Sequence, residues 1–115
     1  MNTECVLILV TAATVAEAEQ ISSALVEKKL IACSNIITPV SSFFFWKGHD
    51  CHETEVLLLM KSVYSHFNFI VAEVKKIHSY EIPEIIAVPI IAGSNDYLNW
   101  IKTETDIKNG INNLR

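Results

Sequence analysis

Around Pro83 the stretch KIHSYEIPEIIAVPI (76–90) gathers His78, Tyr80, Glu81 and Glu84 within a few positions. Imidazole and carboxylate groups coordinate borderline divalent cations, which makes the stretch a candidate metal site with His78 as ligand and Glu81 beside it. Spacing alone favours a plainer reading. There, Pro83 shapes a connection between helix and strand, His78 sits at the negative end of the preceding helix, and the glutamates are solvated.

A second cluster, HDCHE (49–53), offers His49, Cys51 and His52 together with two acids. Strand alternation sets His49, Cys51 and Glu53 on one face and His52 on the other, so only part of the cluster can grip one ion. A solvated hairpin tip is again the plainer reading. Cys33, in LIACSNI, is either a further soft ligand or a small buried apolar residue. Nothing local supplies a histidine that would make it a nucleophile. Trp46 reads as a packing anchor beside the turn or as a pocket wall between subunits. Lys61, ending EVLLLMK, places a cation at the sheet's rim, where it would pair with Glu81 or Glu84 or attract an anion.

Catalysis is not what the chain advertises. Glycines at 48, 93 and 110 form no phosphate-binding loop, and neither HExxH nor GxSxG occurs. A net charge of -4, with nine Lys plus Arg spread along the chain, disfavours a nucleic-acid partner. The apolar run in MNTECVLILVTAA is preceded by an acid and is far shorter than a membrane span, so no membrane association is expected. Three cysteines without CxxC spacing argue for a reducing compartment, and cytoplasm is the default.

The elements that must position these groups fit one domain, 1–115, with a core of about 4–104 and a weakly patterned tail, 105–115. Residues 4–12 read as a covered strand. Residues 14–30 read as a helix with Ala18, Ile21, Leu25 and Leu30 on one face, opened by a Thr14/Glu17 capping box. Residues 32–62 read as a long hairpin turning at 47–50, with a bulge or bend at Pro39. Phe67, Ile70, Val71, Val74 and Ile77 mark a helix over 64–78. Residues 84–92 read as the last strand, its Pro89 at an edge or bulge, and Ser94 caps a short helix. This βαββαβ order plus a C-terminal helix is that of an α+β, ferredoxin-like α/β sandwich: an antiparallel sheet with two helices on one face. The other face and the aromatic FFFW hairpin (43–46) need covering, which predicts an oligomer.

Taken together, ALVEKKLIACSNI (24–36), FFFWKGHDCHETEVLLLMKS (43–62), IHSYEIPEIIAVPI (77–90) and GSNDYLNWI (93–101) resemble the CutA family of divalent-cation tolerance proteins. The resemblance covers about residues 5–102, with WKG and YEIPEI as its most specific pieces. It implies a tight homotrimer like that of PII-type signalling proteins, cytoplasmic and non-enzymatic, that binds a divalent metal. Copper is the foremost expectation, with zinc or another divalent cation behind it. It also implies that the hinge residues line an intersubunit cleft, with Trp46, Lys61, Tyr80 and Glu84 in the cleft and His78, Glu81 and Cys33 toward the metal. His49, Cys51 and His52 lie outside the family pattern, and any metal role of theirs rests on chemistry alone. One position departs: the family commonly has proline between the hinge histidine and tyrosine, where this chain has Ser79, which restores a backbone N–H. The rival expectation is a PII-like module taking a small anionic metabolite through Lys61 and Tyr80; a third is a trimeric scaffold for a protein partner.

Overall fold

The computed structural model describes residues 4–107; of the tail, residues 108–115 lie outside the described part. The apolar N-terminal run forms β1 (Cys5–Ala12), which buries Val6, Ile8, Val10 and Ala12 on one face. Thr14 caps α1 (Val15–Glu27) by accepting the Glu17 N–H at 3.1 Å. The second half of the expected capping box is not made. Glu17 turns its carboxylate away from the cap and accepts instead from the Ser79 N–H at 3.0 Å, a pairing across 62 positions that no local pattern reveals.

α1 also stops short of residue 30. Lys29 takes the left-handed conformation (φ 60), and the N–H groups of Lys29 and Leu30 bond back to Val26 and Leu25. Leu30 is therefore buried from the loop, where it joins Leu25 in the core, rather than from a helical face.

β2 (Cys33–Trp46) and β3 (His49–Val63) make the long hairpin. Its two-residue turn, Lys47 (φ 51) and Gly48 (φ 81), has the positive φ at both positions that a tight hairpin with right-handed twist requires. At Pro39, preceded by a cis peptide bond, the register slips between Ile37 and Val40, where a bulge or bend was expected. The expected helix over 64–78 begins as a 3₁₀ turn (Tyr64–His66) before α2 (Phe67–Ile77), which buries Ile70 and Val74. β4 (Ile85–Pro89) is shorter than expected and pairs with β1 alone, so Pro89 ends an edge strand. Ser94 caps α3 (Asn95–Glu104) by accepting from the Tyr97 N–H.

The sheet order is β2-β3-β1-β4, antiparallel throughout, with α1 and α2 packed on one face over Ile8, Val10, Leu58 and Met60. This is the ferredoxin-like α/β sandwich. On the second face α3 covers only the end near Cys5 and Val63, through Leu98 and Ile101. The rest is an open apolar surface. Leu59 pairs with Asn35 on one side and Leu9 on the other, and Leu9 continues to Ile86. Ile37, Ile86 and Val88 remain 43%, 49% and 43% exposed on it, while Phe43 and Phe45 of the hairpin are 75% and 77% exposed.

Candidate functional site

Beyond Leu57, alternation along β3 carries Glu55, Glu53 and Cys51 along the open face, and hairpin pairing sets Phe44 opposite Cys51. The segment after α2 lays Tyr80, Glu81, Ile82 and Glu84 against them. Together with Trp46, Thr11 and Ser79, these side chains line a recess of about 630 Å³. Four carboxylates, Glu53, Glu55, Glu81 and Glu84, face it, and no basic side chain does. The field inside therefore favours cations.

Glu55 forms the floor. It is 5% exposed, and its Oε2 accepts from the Tyr80 hydroxyl at 2.6 Å. Burial, that hydrogen bond and the negative charges of Glu55, Glu17 and Glu53 all push the Tyr80 hydroxyl well above the ordinary phenol range, so it remains a donor. At the mouth, the Lys47 ammonium lies 3.8 Å from Glu81 and 5.6 Å from the centroid of the Trp46 ring.

His78 lies beneath this recess rather than in it. Its imidazole is fully buried, with Nε2 2.7 Å from the Thr11 carbonyl and Nδ1 accepting the Tyr80 N–H at 3.1 Å. These partners fix the tautomer: the proton is on Nε2, and both ring nitrogens are engaged. The backbone N–H of His78 closes the last turn of α2 on Val74, but the ring crosses to β1 instead of capping the helix. Glu17 Oε2 stands 3.7 Å from the Nδ1 lone pair, buried and without a hydrogen-bond donor.

The N–H restored by Ser79 is thus used, since it supplies the donor that Glu17 Oε1 receives. His78 already has φ -67 and ψ 136, which a following proline requires. Ser79→Pro is therefore expected to fit sterically yet to cost about 1 kcal/mol net. Leaving the Glu17 carboxylate with no donor costs about 1–3 kcal/mol, against a gain of about 0.4–1 from a stiffer unfolded chain. Urea denaturation of the two proteins checks this, and a more stable Ser79→Pro would show that the Glu17 contact contributes nothing.

The remaining candidate residues are dispersed. Cys33 is half-buried at the other end of the open face, its Sγ 3.6 Å from the Tyr97 hydroxyl. That contact, ahead of burial, raises the Tyr97 hydroxyl above the usual range. Lys61, directly opposite Cys33, donates to Asn35 Oδ1 rather than meeting Glu81 or Glu84, and it does not line the recess. The cation that meets Glu81 is Lys47. His52 stacks on Phe43 with centroids 3.9 Å apart, and the Cys51 thiol lies 3.7 Å from the His49 carbonyl. All three cysteines are free. Among the described residues no three His, Cys, Asp or Glu side chains converge on a point that would hold a metal ion.

Two residues of this site escaped the sequence reading. Glu55 sits between Thr54 and Val56 in an ordinary strand, and nothing local marks it as buried; Glu17 was legible only as a cap.

The order of elements, the sheet and the acid-lined recess define a ferredoxin-like α/β protein with a cation-attracting cleft between a β-hairpin and a hinge. A family model described as CutA1 divalent ion tolerance protein matches residues 6–104, and the chain belongs to that family. The divalent-cation tolerance protein CutA of Thermus thermophilus is 37% identical over 99 residues, covering 86% of this chain and 96% of the relative. Its counterpart from Archaeoglobus fulgidus is 44% identical over 94 residues, 82% of this chain and 91% of the relative. The solved structure of that organism's protein, named a periplasmic divalent cation tolerance protein, superposes with a TM-score of 0.86 at 40% identity, covering 89% of this chain and 99% of the other. The CutA structure from Xylella fastidiosa gives 0.87 at 35% identity, over 90% and 99%.

Proposed function

We propose that this chain acts in divalent-cation tolerance as a non-enzymatic homotrimer, and that the cation, copper foremost, is taken up in the recess between hairpin and hinge. The observation that carries the reading is the lining of four carboxylates and one thiol without a basic side chain. An anionic metabolite would be repelled there, and Lys61, the cation invoked for one, is engaged elsewhere by Asn35. The donors open to a metal are Cys51, Glu53, Glu81 and Glu84, a soft thiolate with hard oxygens. His78 is buried beneath the recess and would have to surrender the Tyr80 N–H bond at Nδ1, the nitrogen with the lone pair, to join them, so its role in this reading is to hold Tyr80. One chain does not converge enough donors on a point; at a threefold assembly a neighbouring chain would complete the set. Free thiols favour a reducing compartment, and the cytoplasm is our reading of the location.

Copper and zinc titrations of metal-free protein test this. The double variant Cys51→Ala/Glu81→Gln should lose about tenfold or more in copper affinity, the equivalent of one strong ligand, while His78→Ala should weaken binding far less. Wild-type affinity in the double variant would sink the assignment.

A further inference from the structure

The carboxylates of the recess do not converge as a metal cage does. Instead they mark its two ends, Glu81 exposed at the mouth and Glu55 buried at the floor, with Phe44, Trp46 and Tyr80 lining the space between. Two details speak about what fits. First, the chain's own primary ammonium stands at the rim, outside the lining: the exposed Lys47 Nζ lies 3.8 Å from Glu81 Oε2 and 5.6 Å from the Trp46 centroid, with a carboxylate on one side and a ring face on the other. Second, Glu55 is 5% exposed and receives one hydrogen bond, from Tyr80, at Oε2 alone. Its other oxygen has no hydrogen bond within the protein and is not sealed off from the recess, so it is an open acceptor for an ammonium that enters there.

We propose that this recess binds a linear alkyl diammonium, one ammonium at the mouth between Trp46 and Glu81 and the other at the floor against Glu55. The apolar linker of such a molecule matches the aromatic walls, which a bare metal ion leaves unused. Binding displaces Lys47 from the mouth, so the lysine acts as an internal competitor. The inference goes beyond the metal reading and needs no metal.

Calorimetric titration of the full-length, chelator-stripped protein with putrescine tests it. Saturable binding is expected. n-Butylamine, which has one charged end, should bind about tenfold more weakly, and butanediol, which has none, should not bind measurably. Glu81→Gln and Trp46→Leu should each weaken putrescine by about three- to tenfold, with unchanged circular dichroism melts to show that they fold. Lys47→Ala should strengthen it by about threefold, because the competitor is gone. The inference is overturned if putrescine gives no saturable heat, if butylamine or butanediol matches it, or if Lys47→Ala weakens binding. Copper binding without putrescine binding would remove this inference and leave the metal reading standing.

Discussion

If the chain assembles as the proposed trimer, replacing Leu59 by lysine is expected to give a particle of one-third the wild-type mass in light scattering at micromolar concentration. Leu59 lies at the centre of the open sheet face, flanked by Leu9 and Asn35 in neighbouring strands, with Leu57 beside it along β3. α3 covers only the far end of that face, and Ile37, Ile86 and Val88 stay 43–49% exposed there. Burying an aliphatic side chain in full is worth about 1.5–3 kcal/mol, so half-exposed residues in this number give association a substantial driving force. An unpaired ammonium in the middle of the face would cost several kcal/mol on assembly, about the same order. The monomer itself should survive, because Leu59 points away from the core formed by Leu58 and Met60. Glu19→Lys, on the solvent side of α1, serves as the control for charge alone. A wild-type chain that runs as a monomer, or a Leu59→Lys protein that keeps wild-type mass, would contradict the trimeric reading.

The same open face shows where sequence reasoning reached and where it stopped. Signals within one element were legible. The alternation over 49–53, the apolar stripe of α2, the break at Pro39 and the edge position of Pro89 all follow from side-chain period or from a missing N–H, and the structure agrees at each, whereas β1, read as covered on more than one side, alternates between buried and partly buried residues. What stayed hidden were pairings between elements. His78 meets Thr11 across 67 positions, Tyr80 meets Glu55 across 25, and Ser79 meets Glu17 across 62. Polar side chains choose such partners only after the sheet has set the geometry, so from the sequence Glu17 reads as a cap and Lys61 as a partner for Glu81, Glu84 or an anion. The hinge is chemically dense in the sequence, although spacing alone favours a plain connection there. Its histidine, however, has both nitrogens engaged in holding the segment, and the groups open to a ligand are the carboxylates and aromatic rings around it.

Tyr80→Phe should destabilise the protein by about 1.5–3 kcal/mol, the usual worth of a hydrogen bond to a charged group. The hydroxyl is the donor that the buried Glu55 carboxylate receives, at 2.6 Å, so the variant leaves a charge on the floor of the recess with no partner there. If that is the cause, the cost belongs to Glu55 and not to lost packing, since phenylalanine keeps the ring against His78. Tyr80→Phe combined with Glu55→Met should then recover most of the loss, because removing both partners removes the unsatisfied group. Purely additive effects in that double-mutant cycle, measured by urea denaturation, would show that the bond is not what stabilises the hinge. The pair also predicts an alkaline signature. The folded state holds the Tyr80 proton well above the range in which an unfolded tyrosine loses it, near pH 10. Its contribution is therefore complete below about pH 10 and declines as the pH rises further, while the unfolded chain ionises first. Tyr80→Phe, having no proton to lose there, should show a flatter decline over that range, and parallel slopes for the two proteins would assign the alkaline transition to other groups.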